Sequence, residues 1–63
     1  MIYIYTVENC GNCSKLKLEY YRNGTKYEER NAERIKSPHD EIDQEALILA
    51  SMQNMTLPVI VEI

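Results

Sequence analysis

The 63-residue chain reads as one small α/β domain in the order βαβαβ, with three strands and two helices. Three observations predict it. "MIYIYT" at 1–6 and "VIVEI" at 59–63 are β-branched or aromatic runs without a breaker, as strands are. Two other stretches repeat apolar residues at helical spacing. Between those helices lies "TKYEERN", which alternates in strand fashion. No linker, repeat or low-complexity segment interrupts the chain, so residues 1–63 form a single domain.

Each element has a local reason. In the first strand Ile2 and Ile4 lie on one face, with Tyr3 and Tyr5 on the other. Both faces are bulky, so both are expected to be covered. "VENCG" follows as a loop. From Asn12 the pattern turns helical, with Cys13, Leu16 and Tyr20 on one face and Leu18 and Tyr21 flanking them. Asn23 and Gly24 supply residues that tolerate a left-handed helix ending. In 25–31, Tyr27, Glu29 and Asn31 oppose Lys26, Glu28 and Arg30, a charge density suited to a sheet edge. A second helix opens at "SPHDEIDQ", with Ser37 as cap, Pro38 in the first helical position, and Asp40, Glu41 and Asp43 at the positive end of the dipole. Ile42, Ala46, Leu49 and Ala50 form its apolar stripe, widened by Leu47, Ile48 and Met52. "LPVIVEI" closes the chain as the third strand, with proline near its start, where a missing N–H is tolerated.

Composition narrows the function classes. A net charge of -3 with interleaved signs argues against nucleic acid, whose phosphates demand a basic surface. No run approaches the ~20 apolar residues of a membrane span, and the start lacks the cationic lead of an export signal. A reducing, cytoplasmic setting is therefore expected, where cysteine pairs serve catalysis or metal binding more often than structure.

Cys10 and Cys13, the only cysteines, sit in "ENCGNCSKLK". A disulfide across so short a loop removes little entropy from the unfolded chain, so a structural staple is a poor explanation. The order of elements places the pair just past the carboxyl end of the first strand and at the amino end of the first helix. Sites in such sheets collect there. Free N–H groups of Asn12 and Cys13, aided by the helix dipole, are expected to stabilise a Cys10 thiolate. Cys10 is then the nucleophile, and Cys13, one turn inward, resolves the mixed disulfide. Glu8 opposes the thiolate, Lys15 and Lys17 are the nearest cations, and Gly11 eases the turn into the helix.

Two other readings of the pair stay open. Zinc takes four ligands, and this chain offers two cysteines and His39, so a zinc or iron–sulfur site would be shared between two chains. An adaptor carrying a vestigial motif would tolerate Cys10→Ser. The remaining features read blandly: His39 as a solvated residue, the tyrosines as core, "EERNAER" as a solvated face, and Met52 and Met55 as packing.

"CGNC" after a first strand, "KYEERN" as a second and "TLPVIVEI" as a third make the chain similar to glutaredoxins and other thioredoxin-fold proteins. The "YEERN" stretch resembles the small glutaredoxin-like reductants that serve ribonucleotide reductase. The resemblance implies a minimal thioredoxin-like domain with a three-stranded mixed sheet. It also implies a thiol–disulfide oxidoreductase whose active-site loop is Cys10-Gly11-Asn12-Cys13, with no metal and no cofactor beyond the redox-active disulfide. Thr56, Leu57 and Pro58 match the family's segment around a cis-proline that faces the dithiol. There the Leu57 backbone would pair with a substrate backbone and Pro58 would keep metals from the sulfurs. The implied partners are a disulfide-containing protein and an upstream reductant, either glutathione or a reductase. The chain departs from the family at Glu8 and Gly11, where lysine and proline are usual. The family's fourth strand, with its glutathione-binding glycine pair, and its last helix would follow Ile63. Without them "VIVEI" is an uncovered apolar edge, so a homodimer or partner docking through residues 58–63 is expected.

Overall fold

The computed structural model describes residues 1–63 throughout. The elements are β1 (Ile2–Thr6), α1 (Gly11–Asn23), β2 (Glu28–Asn31), α2 (Glu33–Lys36), α3 (Glu41–Met52) and β3 (Val59–Glu62). This is the expected three-stranded mixed sheet with one added element, the single-turn helix α2. The strand order is β2-β1-β3. β1 pairs parallel with β2, Tyr5 opposite Arg30, and antiparallel with β3, Tyr5 opposite Val59. No helix is long and apolar enough to cross a membrane.

The period-two alternation of β1 decides which layer each residue enters. Tyr3 and Tyr5 share a face with Val59 and Val61, and there Tyr5, Ile35, Ala46, Ala50, Val59 and Val61 form the core under α2 and α3. Ile4 and Thr6 are buried on the opposite face, which α1 partly covers. Two contacts hold α1 there: Lys17 donates to Glu29 at 3.1 Å, and the Tyr20 and Tyr27 rings meet at a tilt with centroids 5.3 Å apart. Both faces of β1 are therefore covered at its carboxyl half, whereas Ile2 and Tyr3 are only partly buried.

The helix ends follow their caps. α1 ends at Gly24, whose φ of 67° is the left-handed conformation expected of the Asn23-Gly24 pair. The start of α3 corrects the sequence reading. Its cap is Asp40, which accepts from the Asp43 N–H at 2.8 Å, and Ser37-Pro38-His39 lies outside the helix. The physical reason is the demand of Asp43, whose carboxylate takes the His39 N–H at 2.9 Å and so holds 37–39 as a loop. The expected inward stripe of α3 holds: Ala46 and Ala50 are buried, Ile42 and Leu49 pack against the core, and buried Asp43 joins them. The residues expected to widen it, Leu47, Ile48 and Met52, are exposed instead.

Asp43 is fully buried and receives four hydrogen bonds. The donors are the Tyr5 hydroxyl at 2.6 Å, Arg30 Nη1 at 3.0 Å, Arg34 Nε at 3.0 Å and the His39 N–H. Arg30 also bonds Asp40 and Glu28, and its guanidinium lies 4.8 Å from the centre of the Tyr3 ring. "EERNAER" is thus a solvated face only in part: Glu28, Glu29, Asn31 and Glu33 are exposed, but Arg30 and Arg34 bind β2 and α2 to α3. Burial alone would raise the Asp43 carboxyl, but the four donors outweigh it and hold it well below the usual carboxylate range. Burial, then the bond to Asp43, pushes the Tyr5 hydroxyl up to about 12.

Two predictions follow from this cluster. Asp43→Ala breaks the buried pair with Arg30 and removes the acceptor that Tyr5, Arg34 and the His39 N–H share, a loss of about 3–5 kcal/mol. That rivals the whole stability of a domain this small, so circular dichroism is expected to show an unfolded chain, whereas Tyr5→Phe, which removes one donor, stays folded with a lower Tm. Stability has two pH limits. A depressed Asp43 contributes its full stability above the unfolded carboxylate value of about 4 and loses it as pH falls further. A raised Tyr5 contributes below its unfolded value of about 10 and loses that contribution as pH rises towards about 12. Thermal melts across pH should therefore plateau between these limits and fall on both sides.

Candidate active site

β1 delivers the chain to a short loop, 7–10, that reverses into α1. Asn9 makes the reversal with φ 61°, a left-handed conformation that asparagine tolerates. Gly11, in contrast, has no positive φ and already belongs to the helix, so the conformational demand falls on Asn9. Cys10 is the N-cap of α1, and its carbonyl accepts the first helical bond, from Ser14 at 3.1 Å.

Cys10 and Cys13 are disulfide-bonded, with Cα atoms 5.2 Å apart. The Cys13 N–H donates to Cys10 Sγ at 3.2 Å, and of the two N–H groups expected there, that of Asn12 does not take part. Accessibility separates the two sulfurs. Cys13 is 1% exposed, while Cys10 is only partly buried and Gly11 and Asn12 are exposed. No acidic residue occupies the first turn of α1, Glu8 is exposed, and Lys17 is engaged with Glu29. The donors fixed on Glu29, Thr6 first and Lys17 second, lower its carboxyl. The electrostatics at Cys10 Sγ therefore rest on the helix end and its N–H.

The second part of the site comes from 53–58. Leu57–Pro58 is a cis peptide bond. Because Val59 pairs with Tyr5, Pro58 falls at the level of Thr6, the same end of the sheet as the cysteine loop. Asn54 and Met55 turn the chain with φ 57° and 59°, and Gln53 fastens the turn. Its side-chain Nε2 donates to the Thr56 carbonyl at 2.6 Å and to that of Pro58 at 3.1 Å, while the Thr56 hydroxyl donates to the Gln53 carbonyl at 2.8 Å. Leu57, between the two clamped carbonyls, has neither its N–H nor its C=O bonded within the chain. No hydrogen bond joins this segment to the cysteines; the sheet register alone brings them to one end.

Two features escaped the sequence reading. Gln53 reads as an ordinary helix-end residue, and only the folded turn shows its two acceptors. A groove of about 350 Å³ runs beside the site, lined by Val7, Ala32, Ile35, Ala50, Met55 and Leu57 with Glu33 and Lys36 at its margin. Exposed Val7 directly after β1 was its one sequence signal. His39 is exposed, and the chain gathers no group of three or more His, Cys, Asp or Glu side chains able to hold a metal. Comparison with known protein families, curated proteins and solved structures finds no match to this chain.

The burial difference gives an order of thiol reactivity. After reduction, brief iodoacetamide treatment read by peptide mass should label Cys10 well before Cys13. Equal labelling would contradict the geometry.

Proposed function

We propose that this chain is a thiol–disulfide oxidoreductase of the glutaredoxin-like kind, acting on disulfide-containing proteins through Cys10 and Cys13. The observation that carries the reading is the pairing of a reachable sulfur with a buried one at a helix start, linked in a disulfide. A structural disulfide this short would add little stability, and a helix end favours thiolate over thiol.

In the reduced form the Cys10 thiolate attacks one sulfur of the substrate disulfide. A Cys10–substrate bond forms, the substrate disulfide breaks, and one substrate thiolate leaves. The Cys13 thiol gives its proton to the substrate thiolate just released and attacks Cys10 Sγ, forming the Cys10–Cys13 bond and releasing the second substrate thiolate. Two electrons pass from the dithiol to the substrate, and the chain ends in its disulfide state. The Cys13 N–H prepares the first step by donating to Cys10 Sγ, which favours the thiolate over the thiol. An extended substrate segment pairs its backbone with the free N–H and C=O of Leu57. An upstream thiol, glutathione or a reductase, then restores the dithiol. The reading implies a reducing compartment such as the cytoplasm, and ribonucleotide reductase is one candidate downstream partner by resemblance.

A site shared between two chains, with zinc or an iron–sulfur cluster on four cysteines, is the contrasting reading. Trapping separates the two. Cys13→Ser is expected to accumulate a mixed disulfide with a model disulfide substrate, seen by mass, and Cys10→Ser to form none and lose exchange. Adducts on Cys10→Ser alone would reverse the roles, and adducts on neither would remove the exchange reading.

A further inference from the structure

The β1–β3 ladder fixes which backbone groups of β3 are free. Met1 and Ile63 exchange two bonds, the Met1 amine donating to the Ile63 carbonyl at 2.6 Å and the Ile63 N–H to the Met1 carbonyl at 3.0 Å. In an antiparallel ladder, pairs that exchange bonds alternate with pairs that do not. The register then makes Tyr3–Val61 and Tyr5–Val59 the bonded pairs. The N–H and C=O of Ile60 and of Glu62 consequently point away from β1. β3 is the outermost strand on that side, so these groups form an unpaired row.

We infer that β3 is the seam along which two copies of this chain pair, antiparallel, about a two-fold axis at Val61. The row is complementary to itself in this register. Ile60 lies opposite Glu62 of the partner subunit, and each pair exchanges two backbone bonds, so all of the free groups find partners at once. An axis at Ile60 instead sets Glu62 against Pro58, which has no N–H and whose carbonyl already accepts from Gln53 at 3.1 Å. An axis at an intermediate point would oppose residues from different faces of the sheet.

The side chains agree with the backbone. Glu62 is the only charged residue of β3, and this register places it across from an isoleucine rather than from its own copy. Ile60 and Ile63 are 40% and 70% exposed, leaving apolar surface along the seam. The opposite edge, β2, reads Glu-Glu-Arg-Asn and is guarded by charge. One open edge and one guarded edge give a closed dimer and not a filament. The combined sheet runs β2-β1-β3-β3-β1-β2. Since the cysteine loop lies at the Val59 end of β3, the two-fold axis sends the two cysteine pairs to opposite ends of the six-stranded sheet. Each stays open to its own substrate, and this dimer cannot join them around one metal.

Sedimentation equilibrium over a range of protein concentrations tests the seam, with the oxidised chain shown by denaturing mass to carry no interchain disulfide. The wild type should fit a monomer–dimer equilibrium. Ile60→Glu sets a carboxylate against Glu62 of the partner subunit, twice in each dimer, and should raise the dimer Kd about tenfold or more. Ile60→Lys sets an ammonium there instead. It should keep the Kd within about threefold of wild type and make it weaken with salt. The charge-swapped pair Ile60→Glu with Glu62→Lys should restore dimers if the Glu variant loses them. A wild type that stays monomeric at every concentration overturns the inference, as do larger assemblies. A Lys variant that dissociates like the Glu variant also overturns it, since that is the behaviour of a merely greasy edge. The wild-type and Lys measurements decide the matter even where Ile60→Glu fails to fold.

Discussion

The buried carboxylate of Asp43 is the constraint on which the rest of this small molecule depends. It is fully enclosed, and the chain meets its demand for donors from four places at once: Tyr5 on β1, Arg30 on β2, Arg34 on α2 and the His39 backbone ahead of α3. An unmet carboxylate in this position would unfold the domain, so the contacts specify as well as stabilise. They set where α3 begins and which of its faces turns inward. They also draw α2 towards α3, beside the sheet. With only ten residues buried, the apolar core is too small to impose those choices alone.

The site is a consequence of that arrangement, although no atom of the cluster touches it. Fixing α3 fixes its carboxyl end, from which Gln53 clamps the turn that presents Leu57 and Pro58. β1, held between its two neighbours, fixes the loop that presents Cys10. The sheet therefore aligns two segments more than forty residues apart in sequence without any direct bond between them. The proposed exchange would need only the asymmetry that results: one partly exposed sulfur, one buried sulfur, and a backbone left unpaired at the same end of the sheet.

How far this was legible in the sequence depends on the range of the forces involved. The strands, α1 and its glycine ending come from local preferences, and they lie near where the alternation and the Asn23-Gly24 pair put them. Cys10 as cap and Cys13 as the inward residue followed from the same local logic. The start of α3 did not, because Ser37-Pro38 is a good local start and Asp40 prevails only through contacts with Arg30 and Asp43. Arg30 and Arg34 looked solvated for the same reason, since nothing within "EERNAER" announces an acid on a distant helix. Leu47, Ile48 and Met52 seemed to extend a stripe that in fact turns towards Asp43. Gln53 was invisible because its acceptors are carbonyls, which a sequence does not distinguish. The errors are polar contacts, some between distant elements and some, as at Gln53, within one folded turn, and the successes are mostly periodicity and capping.

The central claim is that Cys10 and Cys13 form a reversible two-electron couple within one chain, and a redox titration tests it most directly. Metal-free protein would be equilibrated in defined thiol–disulfide buffers and its free cysteines scored by alkylation and mass. The account predicts one two-electron transition between about -180 and -270 mV, the span of known reductases and isomerases, with both cysteines of a chain changing together. A pair that never closes across that span, or that closes only between chains, would contradict it.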